Sequence, residues 1–314
     1  MMALAAGTEL RISRYRLTLV AKAPLQLPWF QGSMLRGSFG CALRKLVCLT
    51  GEPSCDGCCL ASSCRYPSLF EPPSGSPEWE RWRDVPAPFI MESAFGPGGT
   101  VVAGQHWSFD MVLFGPAIDQ LPLIVLAWQR AARDGLGKGR APCELTAVEH
   151  LSAEGVATPV FRAGERNGQP HQGSVRIPAL RASGPITMEI VTPARIKSDG
   201  RLRNAGDLTA AQLLRSLARK IEIYAGVYLG GVPDRPPIPD DVLMVSTLKR
   251  ENWQRYSHRQ AQKMSLDGLM GLVRFMNLPN EWLPWLWLGQ YTHLGKNTSF
   301  GLGRYRVLGV ETVN

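Results

Sequence analysis

An α+β fold made of two successive βαββαβ units is what this sequence predicts, and three observations predict it. The same order of alternating and helix-periodic segments runs twice along 314 residues, a length that suits two domains of about 150 each. Each run reaches its last strand through a glycine loop, GLGKGR at 135–140 and GKNTSFGLGR at 295–304. The composition, 45% hydrophobic and only 19% charged, excludes a disordered chain and supplies enough apolar residues for two cores. With 32 glycines and 24 prolines, many positions belong to turns.

The first unit opens with a strand over Glu9–Lys22. Tyr15, Leu17, Leu19 and Ala21 alternate with Arg14, Arg16 and Thr18 along it. A helix follows over Gln31–Val47, with Leu35, Phe39, Leu43 and Leu46 as its apolar stripe. Gly32, Gly37 and Gly40 lie inside it. An interior glycine costs a helix about 1 kcal/mol relative to alanine, so another element is expected to approach closely there. A Cys-rich loop and a Pro-rich stretch lead to two paired strands, Pro88–Phe95 and Trp107–Phe114. Asp119–Arg133 is helical, with Pro122 in its first turn and Gly135 past its end. The strand Pro142–Leu151 closes the unit.

Residues 152–184 are polar and glycine-rich and are expected to form a linker with one short strand. The plan then restarts. Ile186–Ile196 is a strand, and Leu208–Leu229 is a helix carrying Leu214, Leu217, Ile221, Tyr224 and Tyr228 at steps of three and four. Val242–Trp253 and Met270–Met276 are strands, Glu281–Leu294 is a tryptophan-rich helix, and Tyr305–Val310 is the last strand. This is the plan of two tandem ferredoxin-like, RRM-like domains. The expected boundaries are 1–151 with a Cys-rich insertion, 152–184 as linker, and 185–314 with the glycine-rich loop.

The net charge of +9 is spread along the chain. It points to a polyanionic partner, most simply nucleic acid, or else to a basic enzyme whose charge only aids solubility. The segment MMALAAGTELR lacks a basic region followed by an apolar stretch, and the most apolar uncharged run, 282–295, holds Pro284 and is too short to span a bilayer. No membrane partner and a cytoplasmic location are therefore expected. Of seven cysteines, Cys48, Cys55, Cys58 and Cys64 place four thiols within one loop, with Cys59 as a substitute. The spacing suits a structural zinc ion, unliganded thiols or an iron–sulfur cluster, and no histidine or carboxylate accompanies the thiols as a catalytic metal site would need.

The loop 295–304 crowds glycines, hydroxyls and cations. Its backbone amides, with Lys296, Asn297, Ser299, Gly301, Gly303 and Arg304, suit phosphate oxygens; a tight turn is the other reading. It is not a nucleotide-triphosphate loop, because a strand and not a helix follows the glycines. Upstream, the segment 249–260 alternates cations with aromatics, which suits phosphate contacts and base stacking or else a solvated hairpin tip.

WQRYSHRQ (253–260) and HLGKNTSFGLGRYRV (293–307) resemble the C-terminal signature of the CRISPR precursor-RNA processing endoribonucleases of the RAMP superfamily. FQGSMLRGSFGCALRKLVC (30–48), CRYPSLFEP (64–72) and TPARIKSDGRL (192–202) are similar to further parts of that family, so the resemblance spans most of the chain. It implies two ferredoxin-like folds, binding of a CRISPR repeat RNA or mature crRNA, and association with other Cas effector subunits. It also implies a metal-independent cut that leaves a cyclic phosphate, with the product retained. Such chemistry needs a base, an acid and cations around the phosphate. His293, within the family motif, is the leading candidate for proton transfer, followed by His258, with Tyr256, Ser257 and Lys296 as assistants. Arg36, Arg250, Arg255, Arg259, Lys296 and Arg304 are the expected phosphate contacts. Many members carry a working histidine in or just after the first helix, whereas this chain has none before His106. A subunit that only holds RNA is the alternative. His106 and His150 are expected to be structural, and His171 solvated.

Overall fold

The computed structural model describes residues 2–72, 85–96, 98–164, 171–252, 254–257 and 262–313. Strand β1, Ile12–Ala21, keeps the alternation of its sequence: Tyr15, Leu17 and Leu19 are buried while Arg16 is exposed. The elements that follow are α1 (Gly32–Val47), α2 (Arg65–Phe70), β2 (Phe89–Glu92), β3 (His106–Phe114), α3 (Leu121–Asp134), β4 (Cys143–Leu151) and β5 (Ala157–Arg162). The five strands form one antiparallel sheet in the order β2-β3-β1-β4-β5. Leu17 stands opposite Phe109 on one side and Val148 on the other. These residues share a core with Leu35, Phe39 and Leu43 of α1 and Ile124 and Trp128 of α3. Phe39 stacks on Trp128 at 5.5 Å between ring centroids. The glycine at position 40 has a packing reason: a Cβ there would overlap the Phe70 ring of α2, the element that comes close to the helix.

The second sheet repeats this order. Its elements are β6 (Ile186–Ala194), α4 (Ala210–Tyr228), β7 (Leu243–Ser246), β8 (Lys249–Glu251), β9 (Gly268–Met276), α5 (Leu283–Thr292) and β10 (Tyr305–Leu308). The strands pair antiparallel in the order β7-β9-β6-β10, and β8 also pairs with β9. Leu213, Leu214, Leu217, Ile221 and Tyr224 of α4 are buried, as are Trp285 and Leu286 of α5. Burial raises the Tyr305 phenol well above its usual range, and its hydroxyl donates to the Leu286 carbonyl at 2.7 Å.

The chain is thus α+β with two antiparallel sheets, and it differs from the sequence expectation in four places. The strand expected over 242–253 is two strands, broken at Thr247–Leu248 opposite Gly271, whose φ of 127° puckers β9. The helices expected from Asp119 and Glu281 start later, each behind a 3-10 turn, Gly115–Gln120 and Asn280–Trp282. The expected linker 152–184 is divided: β5 pairs with β4, and the compact unit formed around the first sheet is Leu10–Val175 with Val227–Leu229. The other unit is Met1–Glu9, Arg176–Gly226 and Gly230–Asn314. Its N-terminal piece is joined through Gly7, whose amide donates to the Ile177 carbonyl at 2.8 Å. Among the described residues no helix is long and apolar enough to cross a membrane.

Candidate functional site

The glycine loop begins where α5 stops. His293 takes φ 58° and ψ 176°, which turns the chain out of the helix, and its amide donates to the Gly289 carbonyl at 2.9 Å. The loop then folds on itself. The Leu294 amide bonds the Gly303 carbonyl at 2.9 Å, the Phe300 amide bonds Asn297 at 3.1 Å, and the Gly301 amide bonds Thr298 at 2.7 Å. It is also stitched to the end of β6. The Lys296 amide donates to the Arg195 carbonyl at 3.0 Å, the Gly303 amide to the Pro193 carbonyl at 3.0 Å, and the Arg304 amide to Thr192 Oγ1 at 2.8 Å. Thr192 Oγ1 in turn donates to the Gly301 carbonyl at 2.8 Å.

This pattern corrects two expectations. The amides of Lys296, Gly301, Gly303 and Arg304 are occupied by carbonyl and hydroxyl oxygens of the protein, so they do not form a phosphate cradle. Gly303 is required by close approach, since a Cβ there would overlap the Leu294 carbonyl oxygen, and Gly301 and Gly303 are both buried. His293 is the second correction. It has no exposed surface, and its Nδ1 lies 3.2 Å from the Leu302 carbonyl oxygen. As placed, it braces the turn from inside and presents no surface to solvent. What the loop presents outward is Lys296, exposed, with Asn297, Ser299 and Arg304 half-buried.

Lys296 and Arg304 join a larger basic cluster at this end of the second sheet. Arg195 donates from Nη1 to the Asp267 carbonyl at 2.9 Å and to Asp267 Oδ1 at 3.1 Å. Arg250, on β8, pairs with Asp267 Oδ2 and donates to the Arg203 carbonyl at 3.2 Å and to Asn204 Oδ1 at 2.7 Å. Two guanidinium groups therefore share one carboxylate, and the pair keeps a net positive charge. Lys197, Arg201 and Lys249 are exposed on the same segments, whose carboxylates are Asp199, Glu251 and Asp267. Asp199 itself pairs with Arg203. The sequence reading placed Arg250, Lys296 and Arg304 here and missed Arg195, Arg203 and Asp267. Of these only Arg195 falls within TPARIKSDGRL, and nothing local signalled its partner, because Arg195 and Asp267 lie far apart in the chain.

Beyond β8, strands Gln254–Ser257 and Gln262–Ser265 pair antiparallel, with Tyr256 opposite Lys263 and Arg255 opposite Met264. Tyr256, Arg255 and Ser257 thus lie on a two-stranded ribbon, while Trp253, His258 and Arg259 lie outside the described residues.

Arg36 sits elsewhere, in the first unit, and has a structural task. Its guanidinium lies 4.1 Å from the Phe70 ring centroid and donates to the Phe70 carbonyl at 3.3 Å, fastening α1 to α2. The same unit holds a histidine pair that no spacing in the sequence reveals. His150 is the cross-strand partner of Tyr15, and His171 lies against both, 4.6 Å from His150 between ring centroids and 3.0 Å from Tyr15 Oη through Nδ1. Burial lowers the pKa of His150, with the His171 charge pushing the same way, and burial lowers that of His171. Burial pushes the Tyr15 hydroxyl up to about 12. His106 is exposed at the start of β3.

Cys48, Cys55, Cys58 and Cys64 border one cavity between the end of α1 and the start of α2. Among the described residues, no group of three or more His, Cys, Asp or Glu side chains already stands in a metal-holding arrangement.

Residues 10–173 match the AF_1859_N family model, described as an N-terminal domain, and residues 188–305 match that of the CRISPR-associated endoribonuclease Cas6. An uncharacterized protein of Archaeoglobus fulgidus is 22% identical over 291 residues, which are 90% of this chain and 92% of its own. Among solved structures, a Cas6 product complex is 17% identical with a TM-score of 0.52, covering 95% of this chain and 99% of the other. Thermus thermophilus Cas6 is 14% identical with a TM-score of 0.52, covering 96% and 99%. A chain of a partial Cas6–RT–Cas1–Cas2 complex is 11% identical with a TM-score of 0.57, covering 99% of this chain and 48% of that one. At these identities the structural matches speak for the fold.

Proposed function

The chain belongs to the AF_1859_N family and is a Cas6-family, RAMP-type protein, and from that premise we propose that it binds the repeat RNA of CRISPR transcripts and cuts it. The strand order shared by the two sheets supports a pair of ferredoxin-like folds. The observation that carries the RNA reading is the basic end of the second sheet. There Arg195 and Arg250 share Asp267, and Lys197, Arg201, Lys249 and Lys296 stand exposed around them. Phosphates are polyanionic and repeat along a strand, so a cluster of cations held by a rigid sheet end suits them better than one deep pocket.

The cut proposed is a transfer within the RNA. A 2′-oxygen attacks the adjacent phosphorus and the bond to the 5′-oxygen breaks, giving a 2′,3′-cyclic phosphate and a 5′-hydroxyl, with no metal in the step. One group takes the 2′-hydroxyl proton and another supplies a proton to the leaving oxygen. With His293 inside the fold, we assign these transfers to Tyr256, on the ribbon beyond β8, and to His258, which follows it closely in the sequence. Arg255, Arg259, Lys296 and Arg304 would hold the phosphates, with Asn297 and Ser299 following Lys296 on its loop. The product stays bound, and other Cas subunits are the protein partners expected for it. A second reading, a subunit that binds crRNA without cutting it, is favoured by the burial of His293.

The test is incubation with the cognate repeat RNA in EDTA, beside the same RNA carrying a 2′-deoxy at each position in turn. Cleavage that a single deoxy position abolishes supports the transfer and locates the cut. Tight binding with no cleavage favours the second reading, and no binding at all contradicts both.

A further inference from the structure

The loop between α1 and α2 plays no part in the RNA reading, yet it has an unusual construction. It runs about 17 residues from Cys48 to Cys64 without secondary structure of its own beyond turns. It carries little apolar packing, with Leu49 exposed at 86% and Leu60 at 37%. Arg44 reaches in from α1 to the Pro53 and Glu52 carbonyls. A loop this long and this poor in core contacts cannot offset the entropy of holding one shape by burial alone.

Its cysteines converge. Cys48, Cys55, Cys58 and Cys64 all border a single cavity of about 200 Å³, whereas Cys59 does not border it and is exposed. Thr50 Oγ1 lies 3.9 Å from the Cys48 sulfur and 3.6 Å from the Cys58 sulfur, so one hydroxyl touches both. Cys55 and Cys58 flank a turn closed by the Cys58 amide on the Cys55 carbonyl at 3.3 Å, with Gly57 at φ 75°. Cys64 is the residue from which α2 starts. The four thiols thus arrive from the end of one helix, from both arms of a turn and from the start of a second helix.

We propose that Cys48, Cys55, Cys58 and Cys64 form a structural four-thiolate zinc site that ties the end of α1 to the start of α2. Zinc takes four sulfurs tetrahedrally at about 2.3 Å each, with no position left for water, and it binds thiolates, so loading releases protons. The thiols are not yet at that spacing. Binding therefore draws the loop inward around the cavity, and the metal supplies the order that burial does not.

The experiment uses the full chain, purified without chelators from zinc-supplemented cells. Metal content by plasma mass spectrometry should be about one zinc per chain. It should be lost in Cys58→Ser and Cys64→Ser and kept in Cys41→Ser and Cys59→Ser. Should the first two variants fail to fold, the wild-type chain still decides: removal of zinc should speed alkylation of these four thiols about tenfold or more while leaving Cys41 and Cys59 unchanged. Substoichiometric zinc, equal alkylation rates with and without chelator, or a visible absorption band from bound iron and sulfide would each overturn the proposal.

Discussion

The two units place their strands in the same order and treat their arginines differently. On the first sheet, Arg14 and Arg16 of β1 each meet a carboxylate of their own. Arg14 holds Glu92 at 2.8 and 3.1 Å, and Arg16 holds Asp110 at 2.9 and 3.2 Å. The hydrogen bonds that Arg16 donates to Asp110 are the main reason its pKa is raised. At the end of the second sheet, Arg195 and Arg250 have Asp267 between them. One-to-one pairing neutralises a surface and holds strands together, whereas a shared carboxylate fixes cations in position and leaves positive charge for a partner. The two glycine loops differ in the same sense. Gly135–Arg140 closes through mutual bonds of 2.9 Å between Leu136 and Ala141, while 295–304 is bonded at several points to itself and to the end of β6.

Four substitutions and a titration probe this contrast. The largest effect is expected at Gly303→Ala, where a Cβ meets the Leu294 carbonyl at a φ of 73°. It should cost about 4 kcal/mol in denaturant unfolding. Gly139→Ala in the first loop has a positive φ but open space around it, and should cost about 1 kcal/mol. Similar losses would mean that the second loop is not packed as described. Glu92→Ala strips a buried carboxylate from Arg14 and should cost about 3 kcal/mol. Arg36→Ala removes the stacking on Phe70 and should cost about 1 kcal/mol.

The titration concerns His150 and His171. Both have pKa values below the ordinary 6.5 in the fold. The unfolded chain therefore binds protons that the folded chain refuses. Their contribution is complete above about pH 6.5 and is lost as the pH falls through that value toward their lowered ones. Denaturation midpoints should drop between about pH 7.5 and 5.5. A His150→Phe, His171→Phe double variant should flatten the drop, and an unchanged slope would remove this pair from the account.

Local periodicity made most elements legible in the sequence. Leu17, Leu19, Leu214, Leu217 and Ile221 repeat at strand and helix periods, and each is buried. Contacts set by register or by long-range closure were not legible. Nothing near His150 in the chain announces Tyr15 across the sheet, and nothing near Arg195 announces Asp267. His293 shows the limit most clearly. Its place beside glycines and Lys296 suggested exposure to a phosphate, but a left-handed φ turns it under Leu302, into the interior. Of the glycines read as donors to a ligand, Gly303 is instead a place where two stretches of backbone meet, and Gly301 closes a turn on Thr298.

The RNA is proposed to lie on the exposed cations at the end of the second sheet. The direct measurement is the salt dependence of repeat-RNA affinity for the wild-type chain, a Lys249→Ala, Lys296→Ala double variant, and Arg36→Ala. Each phosphate contact removed lowers the slope of log affinity against log salt by about 0.7 to 0.9. The double variant should therefore lose about 1.5 of that slope, and Arg36→Ala none. An unchanged slope in the double variant, with a reduced one in Arg36→Ala, would contradict the claim and move the RNA to the first unit.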